Sequence, residues 1–225
     1  MNYYGTKNHK NRINELKQLI SSKIDFSNIW NTKKLDNSYY IKYYEYQDDK
    51  NELTICKLYN GVKQIYEWII DYDSLRLNVC KIINHSNGNN YFIFVEDLYG
   101  YSVLDLTTLK CIHYIPEESC KENYNECEET FIWCECYYNS RNNLLAIEGC
   151  YWACPYTIMV VDFTNPMKII ESKLWLDIYH EINGLQLGIN DFEFVKWENN
   201  QLICKSDELN NKSFNINKAL DVVFN

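Results

Sequence analysis

The sequence predicts an all-β fold, a small array of about four antiparallel four-stranded sheets behind one N-terminal amphipathic helix, with a β-sandwich as the alternative. Three observations carry this. After Leu35 the chain runs in short stretches rich in Tyr, Ile, Val, Phe and Trp, separated by Asn-rich turns, the signature of many strands at regular spacing. Four polar turns, Asp36-Asn37, Asn89-Asn90, Asn142-Asn143 and Asn199-Asn200, recur at steps of 53, 53 and 57 residues, as a structural repeat requires. Helical periodicity is confined to the start, where Ile13, Leu16, Ile20 and Ile24 recur three and four apart and form one stripe of a helix.

The chain divides at residue 37 into a basic helix and arm, residues 1–37, and a repeat domain, residues 38–225. Only seven glycines and three prolines serve all 225 residues. Asn, which tolerates a left-handed backbone better than other non-glycine residues, must therefore fill many tight turns. The Asn pairs are turn chemistry, not a ligand motif. First strands are expected at 39–46, 91–96, 144–148 and 201–206, and second strands at 53–58, 101–106, 157–163 and 213–217. Third strands follow at 62–70, 110–115, 168–175 and 219–224, and fourth strands at 77–83, 131–138 and 191–197. The last unit ends before a fourth strand, which leaves an edge that residues 25–30 are placed to complete.

The second and third units match best, through Val103-Leu104-Asp105-Leu106-Thr107-Thr108-Leu109-Lys110 and Val161-Asp162-Phe163-Thr164-Asn165-Pro166-Met167-Lys168. Each places an Asp at a strand end, then a polar turn, then Lys. This resembles the blade pattern of β-propeller repeat families over residues 38–224, without a Trp-Asp or Kelch-type signature. Blades are packed on both faces, so their inner strands should be apolar on both. Tyr91-Phe92-Ile93-Phe94-Val95 and Ile158-Met159-Val160-Val161 read that way. The segment Gly149-Cys150-Tyr151-Trp152-Ala153-Cys154-Pro155-Tyr156 is similar to one in an uncharacterised bacterial family of propeller-like sequence. That likeness implies fold and no activity.

Charge narrows the partners. The net charge is −9, with residues 1–34 carrying seven Lys and Arg against Glu15 and Asp25. The acidic remainder repels nucleic acid and anionic membrane. No apolar run approaches the roughly 20 residues of a bilayer span, and the polar, basic first ten residues do not read as a secretory leader. The expected location is the cytoplasm, where ten cysteines are free thiols or metal ligands rather than disulfides. A monomer or homodimer is expected.

In a meander the long connections 116–130, 149–155 and 176–190 all emerge on one edge, and long loops on a rigid scaffold are where function concentrates. The first carries Glu117, Glu118, Glu122, Glu126, Glu128 and Glu129 against Lys121, a patch that attracts a basic partner or simply keeps a loop solvated. The second offers Tyr151, Trp152 and Tyr156, of the type enriched at interface hot spots, or alternatively a plug under the sheets. Cys120, Cys127, Cys150 and Cys154 fall on the same edge, with His180 in the third loop as a spare ligand. Tetrahedral zinc suits four thiolates, although the spacings are looser than a zinc knuckle. Cys134 and Cys136, two apart on a strand, point to one side and are substitutes for the first pair. Cys56, Cys80, Cys111 and Cys204 read as small core residues.

Enzyme signatures are sparse. The chain has no G-x-G-x-x-G, P-loop or G-x-S-x-G, and His180-Glu181 lacks the second His of a zincin helix. Asp71-Tyr72-Asp73 begins like a calcium loop, but Arg76 and Ile82 replace the required Gly and Glu. His113, on a strand, reads as a satisfied structural residue. These features favour a non-enzymatic binding module that offers an acidic, aromatic face to a basic protein, such as an inhibitor or immunity-type protein. The alternatives are a hydrolase or lyase using Asp, Glu or His in the long loops, and a zinc-stabilised scaffold. No other cofactor is expected.

Overall fold

The computed structural model describes residue 11 and residues 14–18, 29–36, 38–47, 52–70, 79–119, 124–168, 175–178, 191–206, 212–216 and 222–224. Among the described residues sixteen strands form four antiparallel four-stranded sheets, each a meander in chain order. The first holds β1 (Ile29–Lys34), β2 (Tyr39–Gln47), β3 (Glu52–Asn60) and β4 (Lys63–Ile70). The second holds β5 (Cys80–Asn84), β6 (Asn90–Phe94), β7 (Tyr101–Asp105) and β8 (Cys111–Tyr114). The third holds β9 (Ile132–Asn139), β10 (Leu144–Cys150), β11 (Thr157–Asp162) and β12 (Trp175–Asp177). The fourth holds β13 (Glu193–Glu198), β14 (Gln201–Lys205), β15 (Lys212–Ile216) and β16 (Val222–Phe224). This is an all-β array of separate sheets, not a two-sheet sandwich.

The Asn-rich turns join the first two strands of each sheet. Asn143 and Asn199 adopt φ of 59° and 56° there, the left-handed conformation that Asn accepts at low cost. At the first such turn Asp36 Oδ1 accepts hydrogen bonds from the Ser38 and Tyr39 amides, both at 2.9 Å. The paired Asp residues of the sequence match also cap turns. Asp105 Oδ1 accepts from the Thr107 and Thr108 amides at 2.8 and 3.1 Å, and Asp162 Oδ1 accepts from the Thr164 amide at 2.8 Å.

The expected strands at 91–96 and 144–148 occupy equivalent positions, each second in its sheet, as do β2 and β14. The phase of the unit is shifted by one strand, however. Each sheet begins before its Asn-rich turn, which joins its first two strands. The fourth sheet is therefore complete, starting at β13, and the expectation of a missing strand is corrected. Ile29–Lys34 does not close that sheet; it pairs with β2 in the first. Residues 25–28 and the segment 71–76, whose sequence reads as a turn rather than a calcium loop, lie outside the described residues.

Successive sheets pack face to face. Trp68 of β4 meets Phe92 and Phe94 of β6, with ring centroids at 5.6 and 4.7 Å. Tyr101 of β7 stacks on Trp133 of β9 at 4.6 Å. Tyr137 of β9 stacks on Phe194 of β13 at 3.8 Å, and Trp197 Nε1 donates to the Tyr137 carbonyl at 2.9 Å. β7 is buried along its whole length and β11 nearly so, consistent with sheets covered on both sides. Residues 14–18 are helical. Leu16 anchors them on the first sheet against Tyr44, Leu53, Ile55 and Ile69.

Since the strands of each meander alternate in direction, the array has two ends. The Asn-rich turns lie at one. The β6–β7, β8–β9, β10–β11 and β12–β13 connections lie at the other, which positions the candidate site.

Candidate protein-binding face

The three long loops converge where their roots meet. β9 pairs with β10 so that Cys150 faces Ile132, bringing the end of the acidic loop beside the start of the aromatic one. Tyr151 packs its ring edge-on against Phe131 at 5.5 Å. Gly149 is required at this junction, because a Cβ there would run into the Ile132 carbonyl oxygen and the Phe131 ring. The third loop is tied in at its far end. The Tyr156 amide donates to Asp191 Oδ1 at 2.7 Å, and the Phe192 amide donates to the Tyr156 carbonyl at 2.9 Å.

Between those anchors the 151–156 loop makes one tight turn, with Ala153 at φ 56° and the Cys154 amide donating to the Tyr151 carbonyl at 2.9 Å. The turn pushes two rings outward: Trp152 is 58% exposed and Tyr156 41% exposed. Tyr151 is half-buried and forms the base of the loop. Tyr156 is held from one side by Cys134, whose thiol donates to its hydroxyl at 3.7 Å. That contact and the nearby Cys134 charge, then burial, push the phenol up to about 12. Tyr156 therefore keeps its proton throughout the physiological range.

On the neighbouring loop Glu118, Glu126, Glu128 and Glu129 are exposed. The loop is drawn into shape by the Glu128 amide, which donates to the Glu118 carbonyl at 2.7 Å, and by Ser119, whose amide and hydroxyl both donate to the Pro116 carbonyl at 3.1 and 2.9 Å. The side chain of Glu117 and all of Cys120, Lys121 and Glu122 lie outside the described residues, as does His180. Low-dielectric walls beside clustered carboxylates raise the local field and attract cationic groups.

Of the expected cysteine quartet, Cys120 lies outside the described residues. Cys127 and Cys150 are half-buried and Cys154 is exposed. Burial pushes the Cys150 thiol up, with Cys134, Cys154 and Asp191 adding to the shift. Among the described residues no group of three or more His, Cys, Asp or Glu side chains is arranged to hold a metal ion. The expectation that Cys134 and Cys136 share a side is corrected. The β9–β10 register passes from Glu135–Glu148 to Trp133–Gly149, so Cys134 is the extra residue of a bulge and the two-residue alternation breaks there. Cys136 is buried in the core that includes Cys80, and Cys134 turns to Tyr156.

Two polar constellations escaped the sequence reading. Beneath the β6–β7 connection, His113 Nε2 lies 3.0 Å from Asp97 Oδ2, while Ser102 Oγ is 2.6 Å from His113 Nδ1 and 3.2 Å from Glu96 Oε1. Burial disfavours the imidazolium, but the bond to Asp97 and the charges of Glu96 and Asp97 outweigh it and hold the His113 pKa above its ordinary value. The composition is that of a hydrolytic triad, yet Ser102 is 0% and His113 3% exposed, so the hydroxyl has no path to a substrate. His113 is enclosed among these polar groups. The only trace in the sequence is Glu96-Asp97 directly after an apolar strand.

The second joins β5 of the second sheet to the third sheet, with Glu193 and Lys205 of the fourth sheet acting on it. The register sets Glu135 opposite Glu148, a like-charge pair that costs stability unless relieved. Lys81 Nζ relieves it, 3.1 Å from Glu135 Oε1 and donating to the Cys136 carbonyl at 2.7 Å. Tyr137 donates its hydroxyl proton to Glu148 Oε2 at 3.0 Å. Burial, then Glu193 and Glu135, push the Glu148 carboxyl up against the opposing effects of Tyr137 and Lys205.

Among the described residues no helix is long and apolar enough to cross a membrane. In comparisons with known proteins, no protein-family model and no curated protein matches the chain.

Proposed function

We propose that this chain is a non-enzymatic binding module whose loop-bearing end captures a basic protein. The observation that carries the reading is the pair of outward rings, Trp152 and Tyr156, at 58% and 41% exposure on a backbone fastened at both ends, beside the exposed Glu118, Glu126, Glu128 and Glu129. Aromatic anchors on a preorganised turn lose little conformational entropy on binding, and carboxylates at the rim steer a cationic partner and set the salt dependence of association. An inhibitor or immunity-type role against a basic enzyme is the form of this function that the charge favours. The four equivalent meanders support reading the chain as a β-propeller-like repeat protein that carries its binding loops on one end, acting in the cytoplasm.

The test compares capture from extract of the native host by the wild-type chain, by Trp152→Ala combined with Lys at positions 118, 126, 128 and 129, and by Val62→Ser. Val62 is 99% exposed in the β3–β4 turn at the opposite end. Basic proteins should be retained by the wild type and by Val62→Ser, released as salt is raised, and lost from the multiple variant. Equal retention by all three overturns the proposal.

A further inference from the structure

We infer that the turn end of the array is a membrane-docking surface, at which the apolar tips of two hairpins enter the interface of an anionic bilayer and the lysines beside them meet its headgroups. The tips are Val62, in the β3–β4 turn, and Leu109, in the β7–β8 turn. These turns join the third and fourth strands of consecutive sheets. Each tip is followed directly by a lysine, Lys63 and Lys110.

Neither residue stands where folding alone would put it. Val62 is 99% exposed and Leu109 41% exposed. Gly61, with φ of 55°, opens a two-residue turn between the paired Asn60 and Lys63, and Val62 fills the second turn position, where polar residues are the rule. Leu109 has φ of 57°, a left-handed conformation that a leucine adopts only at a cost. At Asn143 and Asn199 the chain gives the same conformation to Asn. Such placement becomes favourable when a partner takes the two side chains out of water. Both tips are held in place: the Gly61 amide donates to the Ser38 carbonyl at 2.9 Å, and the Leu109 amide donates to the Asp105 carbonyl at 2.8 Å. Docking therefore orders little that is not ordered already.

The charge at this end opposes that of the whole chain, −9. Lys34, Lys63, Lys110 and Arg141 are exposed there. Among the described residues Lys34, Lys63 and Lys110 form no ion pair, and the Arg141 guanidinium donates to the neutral Oδ1 of Asn199. Of the carboxylates at this end, Asp36, Asp105 and Asp162 cap their own turns, and Glu198 pairs with Lys196 at 3.2 Å. The exposed Glu118, Glu126, Glu128 and Glu129 lie at the other end. A molecule polarised in this way turns its basic end toward an anionic surface and its acidic end away. Side chains protruding from separate turns fit a bilayer, which yields around them, whereas a protein would need a matched pocket for each. A second copy does not supply such pockets, because its acidic end presents the outward rings of Trp152 and Tyr156.

The experiment is co-sedimentation of the full chain with vesicles of phosphatidylcholine, alone or mixed with phosphatidylglycerol. The wild type should pellet with the mixed vesicles, far less with phosphatidylcholine alone, and less as salt is raised. Lys63→Gln and Lys110→Gln should each weaken partitioning about fivefold, the factor expected for one lysine near an anionic surface. Val62→Ser combined with Leu109→Asn should weaken it about tenfold. That double variant should keep the wild-type urea-unfolding midpoint, because exposed sites change stability little and Asn accepts the left-handed backbone. Trp152→Ala should pellet as the wild type does. No pelleting with mixed vesicles, equal pelleting with phosphatidylcholine alone, or undiminished pelleting of the folded double variant overturns the inference. A lowered midpoint in the double variant makes the tips structural and overturns their role. Double-stranded DNA that displaces the vesicles and binds wild type and double variant alike overturns the lipid assignment. None of these outcomes depends on the loop-end face.

Discussion

His113 meets Asp97 at 3.0 Å in the interior of the second sheet, with His113 only 3% exposed. Linkage makes this contact visible in the pH dependence of stability. A group whose pKa is higher in the folded chain than in the unfolded one stabilises the fold while protonated. The contribution of His113 is complete below its ordinary value of 6.5 and is lost as pH rises through the higher folded value. Glu96, pushed up from 4.5 by burial against the opposing pull of His113, acts with the same sign from a lower starting point. Urea-unfolding midpoints should therefore fall as pH is raised above 6.5. His113→Gln should flatten that fall and lower stability at pH 6 by about 1–3 kcal/mol, because it leaves two partly buried carboxylates without their cation. A level wild-type profile across this range would contradict the assignment.

Ser102 offers a direct check on the hydrolase alternative. Its hydroxyl is bonded toward His113 and is fully enclosed, so a fluorophosphonate reagent should leave Ser102 unmodified in the folded protein. Mass spectrometry showing a stoichiometric adduct on Ser102 would establish access that the packing denies and would revive an acyl-transfer reading.

Two tryptophans should separate folding from binding. Trp133 is 1% exposed and joins the second and third sheets through Tyr101. Trp133→Ala should cost about 3–5 kcal/mol. Trp152→Ala should change stability by no more than about 0.5 kcal/mol, as for exposed positions generally. Chemical denaturation of both variants measures this, and a large loss at Trp152 would make it a plug rather than an anchor.

The sequence carried the architecture through its turns. Asn142-Asn143 and Asn199-Asn200 are legible because few other residues accept their backbone conformation, and their spacing placed β10 and β14 at equivalent positions. Where each unit begins was not legible, since a string of similar hairpins has no intrinsic first strand. Asp105 and Asp162 were legible as matching turn residues through their local spacing. The partners of His113 were not, because Asp97 and Ser102 reach it through strand pairing that spans many residues. Cys134 and Cys136 show the converse error: alternation along a strand is a sound rule, and a single bulge opposite Gly149 defeats it. Meander parity, a sequence property, placed the β8–β9, β10–β11 and β12–β13 connections at one end, whereas loop length did not single that end out, because the β11–β12 connection at the other end is longer than the β10–β11 loop.

The central claim is that Trp152 marks the surface where a basic protein docks. A photo-crosslinking amino acid introduced at position 152, with position 62 at the opposite end as the reference, tests it in the native host. The account predicts adducts with a basic protein at 152 and none at 62, suppressed when positions 118, 126, 128 and 129 are changed to Lys. Adducts of equal yield at both positions, or none at 152, would contradict it.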